Sequence, residues 1–223
     1  MTTLYGLDVH TQWEQICELH VLNLAKEHHP EWYRWRLTNN YERAVFLNGD
    51  YVYPRESARY VWANENLTGK SVMEVGCSTG YGIQFLDSID TYVGIDYDPI
   101  IIEVAKEQEW TSNAIFLNKD INLLNEFTQY DTIIAFEVIE HLDNGLEIVD
   151  KLKQSCKNLL ISVPHNEPVG FWGEHHKLHG LNESNFPGFI FDYIDEHGNI
   201  SENPAPISEA NRCNLMLCRW IHG

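Results

Sequence analysis

The chain has 223 residues, 43% of them apolar, and its 33 acidic against 15 basic side chains leave a net charge of −18. That length fits one α/β domain with a modest extension, and a surface of that sign disfavours a nucleic-acid partner. No apolar run is long enough to span a membrane, and the start Met1-Thr2-Thr3-Leu4-Tyr5 has no signal-peptide pattern. Five cysteines (Cys17, Cys77, Cys156, Cys213 and Cys218) lack disulfide or zinc spacing, so reduced thiols in a cytoplasmic protein are expected. The one basic concentration, Arg34, Arg36, Arg43, Arg55 and Arg59, has acids interleaved and reads as solvated surface with scattered ion pairs.

Apolar positions at three- and four-residue steps predict an amphipathic helix over 13–25, stopped near Pro30. An aromatic-dense segment follows, from Trp32 to Tyr53, so residues 1–53 read as an N-terminal extension or cap. Pro54 opens a helix that carries Arg55, Arg59, Tyr60 and Trp62 and leads to Gly69-Lys70; the main domain is expected over 54–223. From residue 71 strands and helices alternate, which argues for a parallel sheet covered on both faces. Strands are expected near 71–76, 91–96, 114–118, 131–136 and 157–163, with helices near 80–87, 99–109 and 141–155. After Pro164, the runs 189–194 and 214–221 have no helical pattern between them and are expected to pair antiparallel.

Function concentrates where the first strand ends. Glu74-Val75-Gly76-Cys77-Ser78-Thr79-Gly80-Tyr81-Gly82 is a strand end breaking into a glycine-rich turn, which lets a ligand approach bare backbone. Twenty residues after Gly76, the second strand ends in Asp96, placed to accept hydrogen bonds from a ribose. A nucleoside-bearing cofactor at the carboxyl edge of a parallel sheet is the reading. Gly76, Gly80 and Gly82 could instead make only a tight turn, and Asp96 could cap the next helix.

Over about residues 54–221 the chain resembles the class I S-adenosylmethionine-dependent methyltransferases. Four segments match in order: the glycine turn, with Ser78 where a glycine usually sits; Gly94-Ile95-Asp96-Tyr97-Asp98; Leu117-Asn118-Lys119-Asp120-Ile121; and the run from Tyr130 through Phe136, Glu137, Glu140 and His141 to Leu142. The resemblance implies a Rossmann-like α/β fold with a seven-stranded, mostly parallel sheet of order 3-2-1-4-5-7-6. Strand 7 is antiparallel and helices lie on both faces. It implies S-adenosylmethionine contacts at Glu74, Gly76, Cys77, Ser78, Gly80, Asp96, Tyr97, Asp120, Ile121, Phe136 and Glu137. Tyr60 joins this set through its nearness to the turn.

Methyl transfer to oxygen needs a base, or a metal that acidifies the acceptor. Glu137, Glu140 and His141 follow strand 4 at three- and four-residue spacing and would share one face of a helix beginning there. His165, His175, His176 and His179 lie after strand 5, on the same sheet edge. In one reading His141, His176 or His179 is the base. In the other, Glu137, Glu140, His141 and His176 hold a divalent metal, an arrangement similar to the small-RNA 3′-terminal 2′-O-methyltransferases. Structural roles stand beside both: Glu140 capping a helix, and the histidine loop acting as a hydrogen-bonded lid. The expected function is S-adenosylmethionine-dependent methyl transfer to an oxygen of a small molecule or saccharide. Metal-dependent RNA 2′-O-methylation and a non-catalytic cofactor-binding scaffold are the alternatives.

Overall fold

The computed structural model describes residues 45–111, 113–123, 129–172 and 175–222; the expected helix over 13–25 and most of the aromatic segment lie outside them. Eight strands form one sheet: β1 (Ser71–Val75), β2 (Thr91–Asp96), β3 (Ala114–Asn118), β4 (Tyr130–Phe136), β5 (Cys156–Pro164), β6 (Ile190–Ile194), β7 (Ile200–Ser201) and β8 (Leu215–Ile221). Their order is β3-β2-β1-β4-β5-β8-β6-β7. The pairs among β1 to β5 are parallel, and β8 runs antiparallel to both β5 and β6. This is the expected Rossmann-like order with β8 in the inserted antiparallel place. The eighth strand is β7, two residues added to the far edge of β6.

Alternation along β1 sorts its side chains onto opposite faces, as a two-residue period requires. Val72 packs with Ala58, Tyr60, Trp62 and Ala63 of α1 (Pro54–Asn66) and with Ile102 and Ala105 of α2 (Pro99–Glu107). Met73 and Val75 pack with Ile148, Val149 and Leu152 of α3 (Gly145–Lys153). Both faces are therefore covered, and the strands read as continuous apolar runs. Phe46 and Val52 are buried in the same cluster as α1, and the Phe46 carbonyl accepts a hydrogen bond from the Thr79 hydroxyl at 2.5 Å. Val45, Phe46 and Val52 are thus part of the core beside the glycine turn, while Tyr51 is exposed. Cys77, Cys156, Cys213 and Cys218 are buried thiols.

Two helices differ from expectation. The segment 80–87 is a 3-10 turn over Tyr81–Phe85. It follows left-handed Gly80 (φ 79°) and precedes left-handed Ser88 (φ 58°), so the chain reverses before an α-helix can propagate. The segment 141–155 divides into a 3-10 turn, Ile139–His141, and α3, which begins only at Gly145. A Cβ at Gly145 would lie 2.2 Å from the Ile139 carbonyl oxygen, so the turn folds back directly onto the helix start.

The lower ends of three strands meet at Asp131. Its carboxylate accepts from the Lys70 and Ser71 amides at 3.0 and 3.1 Å and from the Ser71 hydroxyl, and Lys157 Nζ approaches to 2.6 Å. The Lys157 contact, then those amides, hold its pKa well below the ordinary value. Asp131→Ala is expected to cost about 1–3 kcal/mol, read as a lower urea midpoint. A depressed carboxylate contributes stability above its unfolded pKa and loses it as pH falls. The difference between wild type and variant should therefore shrink below about pH 4.

Candidate functional site

The turn leaving β1 is built from three left-handed residues: Gly76 (φ 68°), Ser78 (φ 49°) and Gly80 (φ 79°). A Cβ at Gly80 would lie 2.5 Å from the Phe116 ring, so both conformation and packing demand glycine there. Ser78 adopts the left-handed geometry that a glycine would, which explains how it stands at that point of the motif. Its amide donates to Asp96 Oδ2 at 3.1 Å. The other Asp96 oxygen accepts from the Asp98 amide at 3.0 Å. Asp98, not Asp96, caps α2 through the amides of Ile100 and Ile101. Asp96 is buried at the edge where β1 and β2 end. On the β3 side Ile121 is buried, Asp120 accepts from the Asn122 amide, and Tyr97 is exposed.

Beneath the turn, Glu74 is fully buried between two phenols. Tyr60 Oη donates to Oε1 at 2.5 Å, and Tyr92 Oη donates to Oε2. Burial outweighs these hydrogen bonds and pushes the Glu74 pKa up to about 7. Tyr60, which packs edge-on to Phe136 and Tyr81, therefore spends its hydroxyl on the strand. Arg59 lies next to it, 6% exposed, and donates to Tyr81 Oη at 2.6 Å. This corrects the solvated-surface reading of the basic concentration for Arg59, because α1 turns that residue inward. Arg55 does pair with Glu196, at 3.6 Å. Burial works against the Arg59 charge, yet the surrounding Tyr81, Tyr60, Glu137 and Glu56 leave its pKa raised.

Glu137, Glu140 and His141 do not share a helical face, because Glu137 is left-handed (φ 52°) and the next turn is 3-10. Glu137 Oε1 accepts from the Ser162 hydroxyl of β5 at 2.9 Å. Glu140 is 1% exposed, and neither carboxyl oxygen has a hydrogen-bond partner among the described residues. Burial, then the nearby Glu137 charge, pushes its pKa well up. The Glu140 carbonyl accepts from the Lys177 and Leu178 amides at 2.7 and 3.0 Å. That fastens the loop after β5 to the β4 exit and brings His176 against His141, with ring centroids 4.6 Å apart. Ligating atoms of Glu140, His141 and His176 all lie within 4.8 Å of one another.

Glu167, absent from the sequence-derived set, organises this loop. It is 2% exposed, lies 2.6 Å from His176 Nδ1 and 3.8 Å from His179 Nδ1, and accepts from the Trp172 amide. His165 is turned away, against Glu183 and Tyr193. Neither Glu137 nor His179 belongs to the three-residue cluster. The one signal for Glu167 in the sequence is an acid inside a histidine-rich loop, which by itself reads as a solvated charge.

The sequence matches the family model described as a methyltransferase domain over residues 49–198. The chain belongs to that family and is a methyltransferase. Its fold is that of the class I, S-adenosylmethionine-dependent type. By sequence, no curated protein matches significantly. Among solved structures it is similar to the N-methyltransferase NodS from Bradyrhizobium japonicum WM9 (16% identity over 75% of this chain and 96% of that one, TM-score 0.55). It is likewise similar to the plantazolicin methyltransferase BpumL in complex with a triazolic desmethylPZN analog and SAH (15%, 94% and 99%, TM-score 0.55). A third is the methyltransferase domain of bacterial CtHen1-C (18%, 76% and 98%, TM-score 0.54). At these identities the likeness is one of fold.

Glu74 generates a test of the buried acid. A raised carboxyl pKa contributes stability that is present below the ordinary 4.5 and is lost as pH rises through about 7. Wild type should lose on the order of 3 kcal/mol from this group across that interval. Glu74→Gln should flatten that part of the stability profile, measured by urea denaturation from pH 4 to pH 8.

Proposed function

We propose that the protein transfers a methyl group from S-adenosylmethionine to a hydroxyl oxygen of a small molecule or saccharide, with His176 as the base. The observation that carries this is the buried Glu167–His176 pair, 2.6 Å apart, at the carboxyl edge of the sheet. A carboxylate on Nδ1 fixes the imidazole tautomer and strengthens Nε2 as a proton acceptor. The residues present fit the cofactor: a turn of left-handed backbone at 76–80, and beside it a buried Asp96 held by two amides. In this reading Asp96 binds the ribose hydroxyls, Asp120 and Ile121 flank the adenine, and Phe136 and Glu137 border the methionine end. The cofactor supplies a methyl activated by its sulfonium; the protein must position the acceptor oxygen and remove its proton.

Calorimetry with S-adenosylmethionine and S-adenosylhomocysteine should show binding of both, weakened about tenfold or more by Asp96→Ala. Absence of binding to either would overturn the assignment.

A second reading is favoured by the paired orphan oxygens of Glu140. Glu140, His141 and His176 would hold a divalent metal, and one carboxylate with two imidazoles suits manganese, iron, cobalt or zinc better than magnesium. The metal would lower the pKa of the acceptor hydroxyl. Manganese should then raise the wild-type melting temperature and leave Glu140→Gln unmoved. An unshifted wild type would rule this reading out. RNA as the acceptor gains little support, since Arg55 and Arg219 are both engaged within the fold.

A further inference from the structure

The sheet ends in two edge strands of opposite character. β7 is two residues long and is followed by Glu202 and Pro204. Short length, charge and proline are the devices that keep an edge from pairing with another chain. β3, at the other edge, has none of them. Its five residues, Ala114-Ile115-Phe116-Leu117-Asn118, carry no charge and no proline, and they pair with β2 in unbroken register, without a bulge. The uncharged stretch extends from Thr111 to Asn118, in a chain whose net charge is −18.

Backbone and side chains both leave this edge open. The Asn113 carbonyl accepts from the Tyr92 amide and the Lys119 amide donates to the Asp96 carbonyl, so the odd-numbered residues of β3 face β2. The even-numbered Ala114, Phe116 and Asn118 therefore turn their amides and carbonyls away from it. Of these groups the Ala114 amide is already used, by the Thr111 carbonyl at 3.3 Å. Ile115 and Leu117 lie in register with Val93 and Ile95, on the face that α3 covers farther in. At the edge that cover is missing: Ile115 is 55% and Leu117 39% exposed. Phe116 points to the other face, and its ring is in the core.

We propose that β3 pairs antiparallel with β3 of a second copy of this chain, about a two-fold axis at Phe116, so that two sheets become one. The strand is complementary to itself, as a two-fold contact requires. With Phe116 opposite its own counterpart, the Phe116 amide of each copy donates to the Phe116 carbonyl of the other. The Asn118 amide meets the Ala114 carbonyl in the same way, and the exposed Ile115 side chain lies opposite the exposed Leu117. Charge points to the same occupant. A neutral strand lets two chains of strongly negative charge approach without opposing carboxylates, whereas a basic partner would find no acid on β3 to pair with.

Sedimentation velocity of the full chain over a concentration series tests this. Wild type should sediment as a dimer. Ile115→Lys and Leu117→Glu, both at exposed positions that leave the core intact, should each raise the dimer dissociation constant by about tenfold or more. Mixing the two variants tests the register itself, because one interface of the mixed dimer then sets Lys opposite Glu and leaves Leu117 opposite Ile115. The mixture should recover dimer that neither variant forms alone. A wild type that stays monomeric at every concentration would overturn the proposal, in favour of a strand from a different protein. A dimer that survives both single substitutions would place the contact on another surface and overturn it too. So would a mixture that remains monomeric, since the stated pairing requires the rescue.

Discussion

The site depends on what Asp96 holds together. One carboxylate oxygen takes the Ser78 amide of the turn leaving β1, and the other takes the Asp98 amide at the start of α2. Its carbonyl accepts from the Lys119 amide and the Asn118 side chain at the end of β3. Three adjacent strand exits are thereby fixed relative to one another through a single buried residue. A left-handed non-glycine residue such as Ser78 carries a backbone cost that persists only when its surroundings over-determine it, and the Asp96 hydrogen bond contributes to that. The turn is consequently preorganised, with the acid already oriented by amides that do not depend on a ligand.

The β4 exit repeats the pattern with different chemistry. Glu137 is left-handed and anchored to Ser162 of β5, so the chain turns sharply instead of entering a helix. That turn drives the Glu140 side chain inward while its carbonyl clamps the loop after β5. Glu140, His141 and His176 meet because of this backbone geometry, although 35 residues separate His141 from His176 in the chain. Two strained exits stand side by side along the edge, one around Asp96 and one bringing the imidazoles of His141 and His176 together. The proposed reaction would use the first for the cofactor and the second for the acceptor proton.

Much of this was readable from the sequence, for identifiable reasons. Runs of apolar residues punctuated by glycine and acid motifs mark β1 to β5 directly, and the missing crossover helix after Pro164 signals the antiparallel pairing of β6 and β8. The errors arose where periodicity cannot see tertiary contact. Tyr81–Phe85 and Ile139–His141 carry helix-like spacing, but left-handed neighbours and close backbone approaches limit them to 3-10 turns. Arg59 looked like one member of a charge cluster, because only packing of α1 on the turn reveals its burial. Glu167 was invisible for a related reason: its partners, His176 and His179, are set by the path of an irregular loop and not by any spacing rule.

The most direct measurement is a crystal structure of the protein with S-adenosylhomocysteine. The account predicts the ribose hydroxyls on Asp96 and the sulfur facing the edge bounded by Phe136, Glu137 and His176. A nucleoside bound away from the 76–80 turn, or a methionine tail pointing toward β3, would contradict it.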